Sequence, residues 1–209
     1  YDDCHIGHAR TFVCFDMVVR YLRLRNFKVD YVRNITDVDD KIINRAKENG
    51  EDPGSLTKRF IKRMNLDFNS LGMLQPDQEP RATENIKIII DLISRLLELN
   101  YAYEVEGDVY FSINSFKDYG KLSNQKIDDI ISGTRVDVNT KKINPADFTL
   151  WKRTYSSLAW DSPWGKGRPG WHVECSAMSM NELGESFDIH AGGVDLKFPH
   201  HENEIAQSE

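Results

Sequence analysis

Two histidines open the chain within "YDDCHIGHAR", residues 1–10, and they frame a glycine: His5-Ile6-Gly7-His8. His5 and His8 are spaced i, i+3 at the mouth of a predicted helix and can share one face there. A helix N-terminus carries unpaired N–H groups and a positive partial charge, which favour phosphate. Two imidazoles add hydrogen bonds to phosphate oxygens, and Gly7 would let a flat ring lie close to the backbone. A helix cap with solvated histidines fits the same spacing, and an HxxH metal pair is a third reading. Cys4, directly before His5, is ambiguous.

A second group lies near the other end. Cys175 is followed by His200, His201 and Glu204. His200 and Glu204 are spaced i, i+4 and face the same side of one helix. Thiolate, imidazole and carboxylate are all zinc ligands; four protein ligands close a structural site, whereas three leave a position for substrate. A polar helix face with a small buried cysteine is the competing reading, and the one that suits Cys14 within its apolar helix. A third group combines Trp171 of "GWHVEC" with His190 and Asp195 of "DIHAGGVD". Trp171 and His190 could wall a small-ligand pocket, and a strand ending in a Gly-Gly turn before Asp is a common nucleotide-site layout in open α/β sheets. Taken alone, a core tryptophan and an ordinary turn is the plainer account.

The elements that must position these groups can be read from periodicity. Residues 8–26 carry Phe12, Phe15, Val18, Val19 and Leu22 at helical spacing. Residues 27–36 alternate as a strand, and "DVDDKIINRAKENG" starts acidic and ends at Gly50, as a helix does. Further amphipathic helices are predicted over 55–73 and 84–100. The texture changes after residue 100: short strands around Glu106-Gly107, turn-rich residues, then "DFTLWKR" over 147–153. This stretch, 101–160, is expected to be an inserted antiparallel α+β module, with 161–170 as the return linker. "GWHVECSAMSMNEL" is a predicted helix, 187–193 a predicted strand, and "PHHENEIAQSE" the start of another helix. The expectation is one α/β domain with a parallel sheet, built from 1–100 and 161–209 and split by the insertion.

Bulk properties set limits. The 209 residues carry a net charge of −6, 40% hydrophobic and 29% charged residues, the profile of a soluble globular chain. A nucleic-acid partner would have to meet a local basic patch, because the overall field repels it. Three cysteines form no disulfide framework and point to a cytoplasmic setting. No stretch reaches the ~18 apolar residues that span a bilayer, and there is no secretory signal. A start at Tyr1 without methionine and a stop inside a predicted helix suggest a piece of a longer protein.

Together the motifs are not anonymous. "CHIGHART" resembles the HIGH motif of class I aminoacyl-tRNA synthetases, while "YVRNITDVDDKII", "PRAT", "SPWGKGRPGWHVECSAM" and "FDIHAGGVDLKFPHHENEIAQSE" resemble the cysteinyl-tRNA synthetase family. The resemblance implies a Rossmann-like catalytic domain split by a connective-peptide insertion. It implies a ligase that converts L-cysteine and ATP (with magnesium) to cysteinyl-adenylate and transfers cysteine to the 3′ end of tRNA(Cys), in a monomeric protein. It implies roles: His5, Ile6, Gly7 and His8 at ATP, with His5 and His8 catalytic; Asp195 on the nucleotide side; Thr36, Trp171 and His190 around cysteine; Cys175, His200 and Glu204 on zinc, His200 being preferred to His201. The family's fourth zinc ligand, a cysteine that Cys4 does not replace, would precede Tyr1, and its KMSKS loop, anticodon-binding region and most tRNA contacts would follow Glu209, so that these residues alone are expected to be inactive. A related ligase joining cysteine to an amino sugar in mycothiol synthesis is the alternative, and a non-catalytic zinc-binding paralogue a further one.

Overall fold

The computed structural model describes residues 2–126 and 141–209. Helix α1 spans Ile6–Leu24, capped by His5, whose Nδ1 accepts from the Gly7 N–H at 3.0 Å. Its inward face carries Phe12, Val19 and the buried Asp16, which accepts from Arg20 Nε and the Leu74 N–H. Val18, Met17, Tyr21 and Leu24 point outward, as does Cys14, which therefore does not take the expected buried place. An apolar run longer than one stripe cannot bury its whole circumference against one neighbour.

After α1 the chain becomes extended. Within the expected strand over 27–36, only the middle pairs: Arg33 N–H donates to Gln78 O and Ile35 N–H to Pro80 O, in a short parallel ladder of isolated bridges. Helix α2, Asp40–Asn49, is capped by Asp39 and ends on Gly50 in the left-handed region. Helix α3, Pro53–Ser70, is capped by Asp52 with Pro53 in its first turn. These two helices bury Ile42, Ala46, Leu56 and Phe60 against each other. Helix α4 follows at Ile86–Glu98.

The change of texture after residue 100 is real. Strands β1 (Ala102–Val105), β2 (Asp108–Phe111), β3 (Phe148–Arg153) and β4 (Gly167–Pro169) form an antiparallel sheet in chain order. Glu106 and Gly107 both have positive φ, 53° and 86°, as the tight hairpin between β1 and β2 requires. The sheet continues past residue 160, because the expected linker supplies β4. Two of its glycines are there for close approach: a Cβ on Gly167 would sit 2.3 Å from Trp151 Nε1, and one on Gly170 would sit 2.0 Å from Thr149 O. The turn-rich stretch 127–140 of the insertion lies outside the described residues.

Helix α5 spans Trp171–Leu183 and helix α6 Glu202–Ser208, the latter entered through a wide turn at Lys197–His201. Helix α4, the sheet, α5 and α6 share one core through Ile89, Ile93, Phe111, Leu150, Val173 and Ala206. The expected strand over 187–193 does not form; the segment runs as bends and coil. Its residues are committed elsewhere: His190 binds Glu204, and Gly192 sits so close to His201 that a Cβ would come within 2.6 Å of the ring.

Helix α6 is tied to residues 120–123 by Glu202, which is 1% exposed. Its carboxylate accepts from the N–H groups of Gly120 at 2.9 Å, Leu122 at 3.4 Å and Ser123 at 2.8 Å. Its place in the first turn of α6 also suits a negative charge. Glu202→Ala should strand three N–H donors, and the expected loss is about 3 kcal/mol in urea unfolding. Glu202→Gln, which keeps an acceptor oxygen, should lose clearly less. Equal losses would show that the bonds are not the source.

Candidate metal centre and nucleotide site

The parallel ladder, the start of α5 and the start of α6 converge on one buried cluster. Cys175 Sγ, a ring nitrogen of His200 and a carboxylate oxygen of Glu204 lie within 4.8 Å of one another, and all three residues are buried. Cys175 comes from the second turn of α5, and His200 and Glu204 from the chain entering α6. The i, i+4 spacing does bring His200 to Glu204, with Nε2 to Oε2 at 3.6 Å. Asn34, beside the ladder, donates its side-chain N–H to Cys175 Sγ at 3.3 Å.

Glu204 is shared. A second group, His190, His201 and Glu204, meets at the same carboxylate. His190 Nε2 is 3.0 Å from Glu204 Oε2, and His201 Nε2 is 3.9 Å away. The Glu204 hydrogen bond raises the His190 pKa against the effect of burial. Burial instead lowers His201, and takes His200 and its neighbour His172 down to about 4. Neutral imidazole is the form that ligates a metal. Burial, with Glu174 and Glu204 adding negative charge, pushes the Cys175 thiol well up. A cation at the cluster inverts that field.

The expected cysteine-pocket residues all border this cluster. The Trp171 ring lies 4.2 Å from the His200 ring and is 43% exposed, so it roofs the cluster and does not join the core. His190 reaches Glu204 from the opposite segment. The Thr36 hydroxyl donates to Glu174 Oε1, one residue before Cys175. A cavity of about 400 Å³ opens beside Trp171 and His172, with Arg168, Lys152 and Asp40 on its wall.

Sequence reasoning missed three residues. His172 Nδ1 lies 2.8 Å from His200 Nδ1 and orients that ring. Asn34 addresses the sulfur, and Glu174 is fully buried with Oε2 unpartnered among the described residues. The sequence signal for His172 was its place at i−3 from Cys175, which puts both on one face of α5.

The residues expected on the nucleotide side assemble separately, at the start of α1. The His5 and His8 rings stack at 4.0 Å with their planes 20° apart. The first helical N–H in the ladder belongs to Ala9, which bonds His5 O. The N–H groups before it, other than that of Gly7, are first-turn donors outside the helical ladder. A Cβ on Gly7 would lie 2.8 Å from His5 Cε1 and displace the stacked ring. Burial and the neighbouring His5 lower the His8 pKa, while Asp195 pulls it up, which places Asp195 within electrostatic reach of His8. Gly193 also faces α1: a Cβ there would lie 3.8 Å from Thr11 Oγ1. The Gly-Gly-Val-Asp turn thus lies against the start of α1, although no strand leads into it.

A family model described as "tRNA synthetases class I (C) catalytic domain" matches residues 1–209. This chain belongs to that family. Its mixture of helices, a short parallel ladder and an antiparallel sheet is the α/β architecture expected of such a catalytic domain. The chain is 61% identical over 211 residues to a cysteine–tRNA ligase of Hahella chejuensis, covering all of this chain and 45% of that protein. It is 60% identical to a cysteine–tRNA ligase of Shewanella amazonensis and 59% identical to one of Coxiella burnetii, covering 46% of each. This class I (C) chain thus spans about half the length of the curated relatives it matches. No helix among the described residues is long and apolar enough to cross a membrane.

Proposed function

We propose that this chain serves the ATP-dependent activation of L-cysteine and its transfer to the 3′ end of tRNA(Cys), with zinc at Cys175, His200 and Glu204. The observation that carries the reading is the buried sulfur–nitrogen–oxygen cluster roofed by Trp171, in a chain belonging to a class I (C) catalytic-domain family. The donor set suits zinc: one thiol, one neutral imidazole and one carboxylate. Zinc, when bound, supplies a soft cationic centre that favours a substrate thiolate over an alcohol oxygen. The group His190, His201 and Glu204 lacks a soft donor, and His190 is engaged as the hydrogen-bond partner of Glu204. It is assigned to positioning.

The chain's own residues divide the remaining work. Thr36, Trp171 and His190 line the place for the amino acid. Adenylate formation is an in-line attack by a carboxylate that is already an anion, so no protein base is required. The task left is to hold the α-phosphate and meet the charge that grows on its oxygens. His8, kept neutral by burial and by His5, is a hydrogen-bond donor for that charge. His5 holds the helix mouth open by taking the Gly7 N–H. Asp195 faces His8 from the Gly-Gly turn, on the nucleotide side. The antiparallel sheet after residue 100 serves as the connective insertion of this catalytic domain.

The amino-sugar alternative gains nothing from the relatives, which carry the name cysteine–tRNA ligase. Labelled cysteine supplied with ATP to the whole protein should appear on a tRNA(Cys) transcript. Cysteine-dependent ATP–pyrophosphate exchange without any charging of the transcript, but with amide formation on an amino sugar, would contradict the reading.

A further inference from the structure

The chain is acidic overall, yet one face of α3 is not. Lys58, Lys62, Asn65 and Asn69 follow one another at i, i+4, i+7 and i+11 and form a single stripe of roughly 16 Å along the helix. They line a groove of about 370 Å³ together with Arg81. Arg81 enters from the parallel ladder, where it is the bridge partner of Ile35, the residue before Thr36. No acidic residue lines the groove.

The hydrogen-bonding state of these side chains makes the groove a donor surface. Asn65 Oδ1 accepts from Arg33 and Asn69 Oδ1 accepts from Gln75, which leaves the two amide N–H₂ groups for the groove. Lys58 and Lys62 are exposed and make no ion pair among the described residues. Among the described residues, Arg81 pairs only with the exposed Glu84, at 3.8 Å. The other two cations of the helix are already used: Arg59 pairs with Glu51 at 2.5 Å and Arg63 with Asp3 at 2.9 Å. An ordinary solvated helix face intersperses acids among its bases; the polar residues of this groove are cations and amides alone, beside Ile61 and Leu66, on a chain of net charge −6.

We propose that this groove binds the phosphate backbone of the RNA substrate, resting on the tRNA-charging reading above. Two cations one helical turn apart, followed along the same stripe by amide donors, fit consecutive backbone phosphates, contacts that position a nucleic acid without reading its sequence. Through the Ile35–Arg81 bridge, the groove is tied to the segment that carries Thr36. A tRNA held there is anchored to the same element that borders the amino-acid pocket.

The test is a Lys58→Ala, Lys62→Ala, Arg81→Ala triple variant of the whole protein, compared with a Lys28→Ala, Lys87→Ala, Lys117→Ala variant that removes equal charge from exposed sites elsewhere. Binding of a tRNA(Cys) transcript is measured by fluorescence anisotropy across a salt series, alongside cysteine-dependent ATP–pyrophosphate exchange. The groove variant should bind on the order of tenfold more weakly. Its salt slope should be shallower by about 2–3, since each phosphate that a cation neutralises adds roughly 0.9 to the slope. Its exchange activity should be unchanged, and the control variant should bind nearly as wild type. Unaltered affinity and slope in the groove variant, or an equal loss in the control, overturns the groove. Loss of binding confined to the groove variant in a protein with no cysteine-dependent exchange upholds the groove and refutes the proposed reaction instead.

Discussion

Replacing Cys175 by serine should remove zinc and the preference for cysteine together. Cys175 is the only soft donor in the buried cluster with His200 and Glu204. An alcohol at that position is a poor ligand for a borderline-soft ion, and the expected loss of metal affinity is at least ~100-fold, beyond what perturbing an outer-shell partner costs. Cysteine-dependent ATP–pyrophosphate exchange should fall with it, through a raised KM for cysteine. The fold should survive, because serine is nearly isosteric and Asn34 can donate to its hydroxyl as it does to the sulfur. Cys14→Ser is the matched control, since Cys14 is exposed. Full metal occupancy in Cys175→Ser, measured by elemental analysis, would refute the ligand assignment.

The second large effect is expected at the mouth of α1. His8→Ala should lower kcat for pyrophosphate exchange by ~10²–10³, the range for losing one positioned donor to a developing oxyanion. The KM for cysteine should change little, because the cysteine-pocket residues border a different cluster. His8 is a cleaner probe than His5, which also caps the helix: His5→Ala removes the acceptor for the Gly7 N–H and adds ~1 kcal/mol of instability. Exchange within threefold of wild type in His8→Ala would show that the histidine pair does not serve the phosphates.

How far the site is legible in the sequence depends on how local each contact is. His5 and His8 are three residues apart, and His200 and Glu204 are four apart on the way into α6; spacing alone brings each pair together. The approach of Cys175 to that pair depends on how α5 packs on α6 over Val173 and Ala206, which no local pattern reveals. Only the resemblance to a known family supplies it. Although His200 is the proposed ligand, His201 too reaches Glu204, since an i, i+3 partner shares the helix face almost as well as i, i+4. The strand expected over 187–193 fails because its alternation reflects site duties: His190 addresses Glu204 and Gly192 clears the His201 ring. The reverse error occurs at 161–170. Gly167 and Gly170 suggest a linker, but they are small because β4 lies against the Trp151 indole and the β3 backbone. Glycine marks close approach as readily as a turn. The helices are the most legible elements, since Asp39, Asp52 and Gly50 cap them by mechanisms visible in a few residues.

The central claim is that Cys175, His200 and Glu204 hold a metal beside which the substrate thiol is chosen. Cobalt substitution tests it most directly, because thiolate bound to cobalt gives charge-transfer absorption that oxygen and nitrogen ligands do not. The cobalt-loaded protein should show that absorption from Cys175, and L-cysteine should intensify it whereas L-serine should leave it unchanged. Absorption of undiminished intensity in Cys175→Ser, or a response equal for cysteine and serine, would contradict the claim.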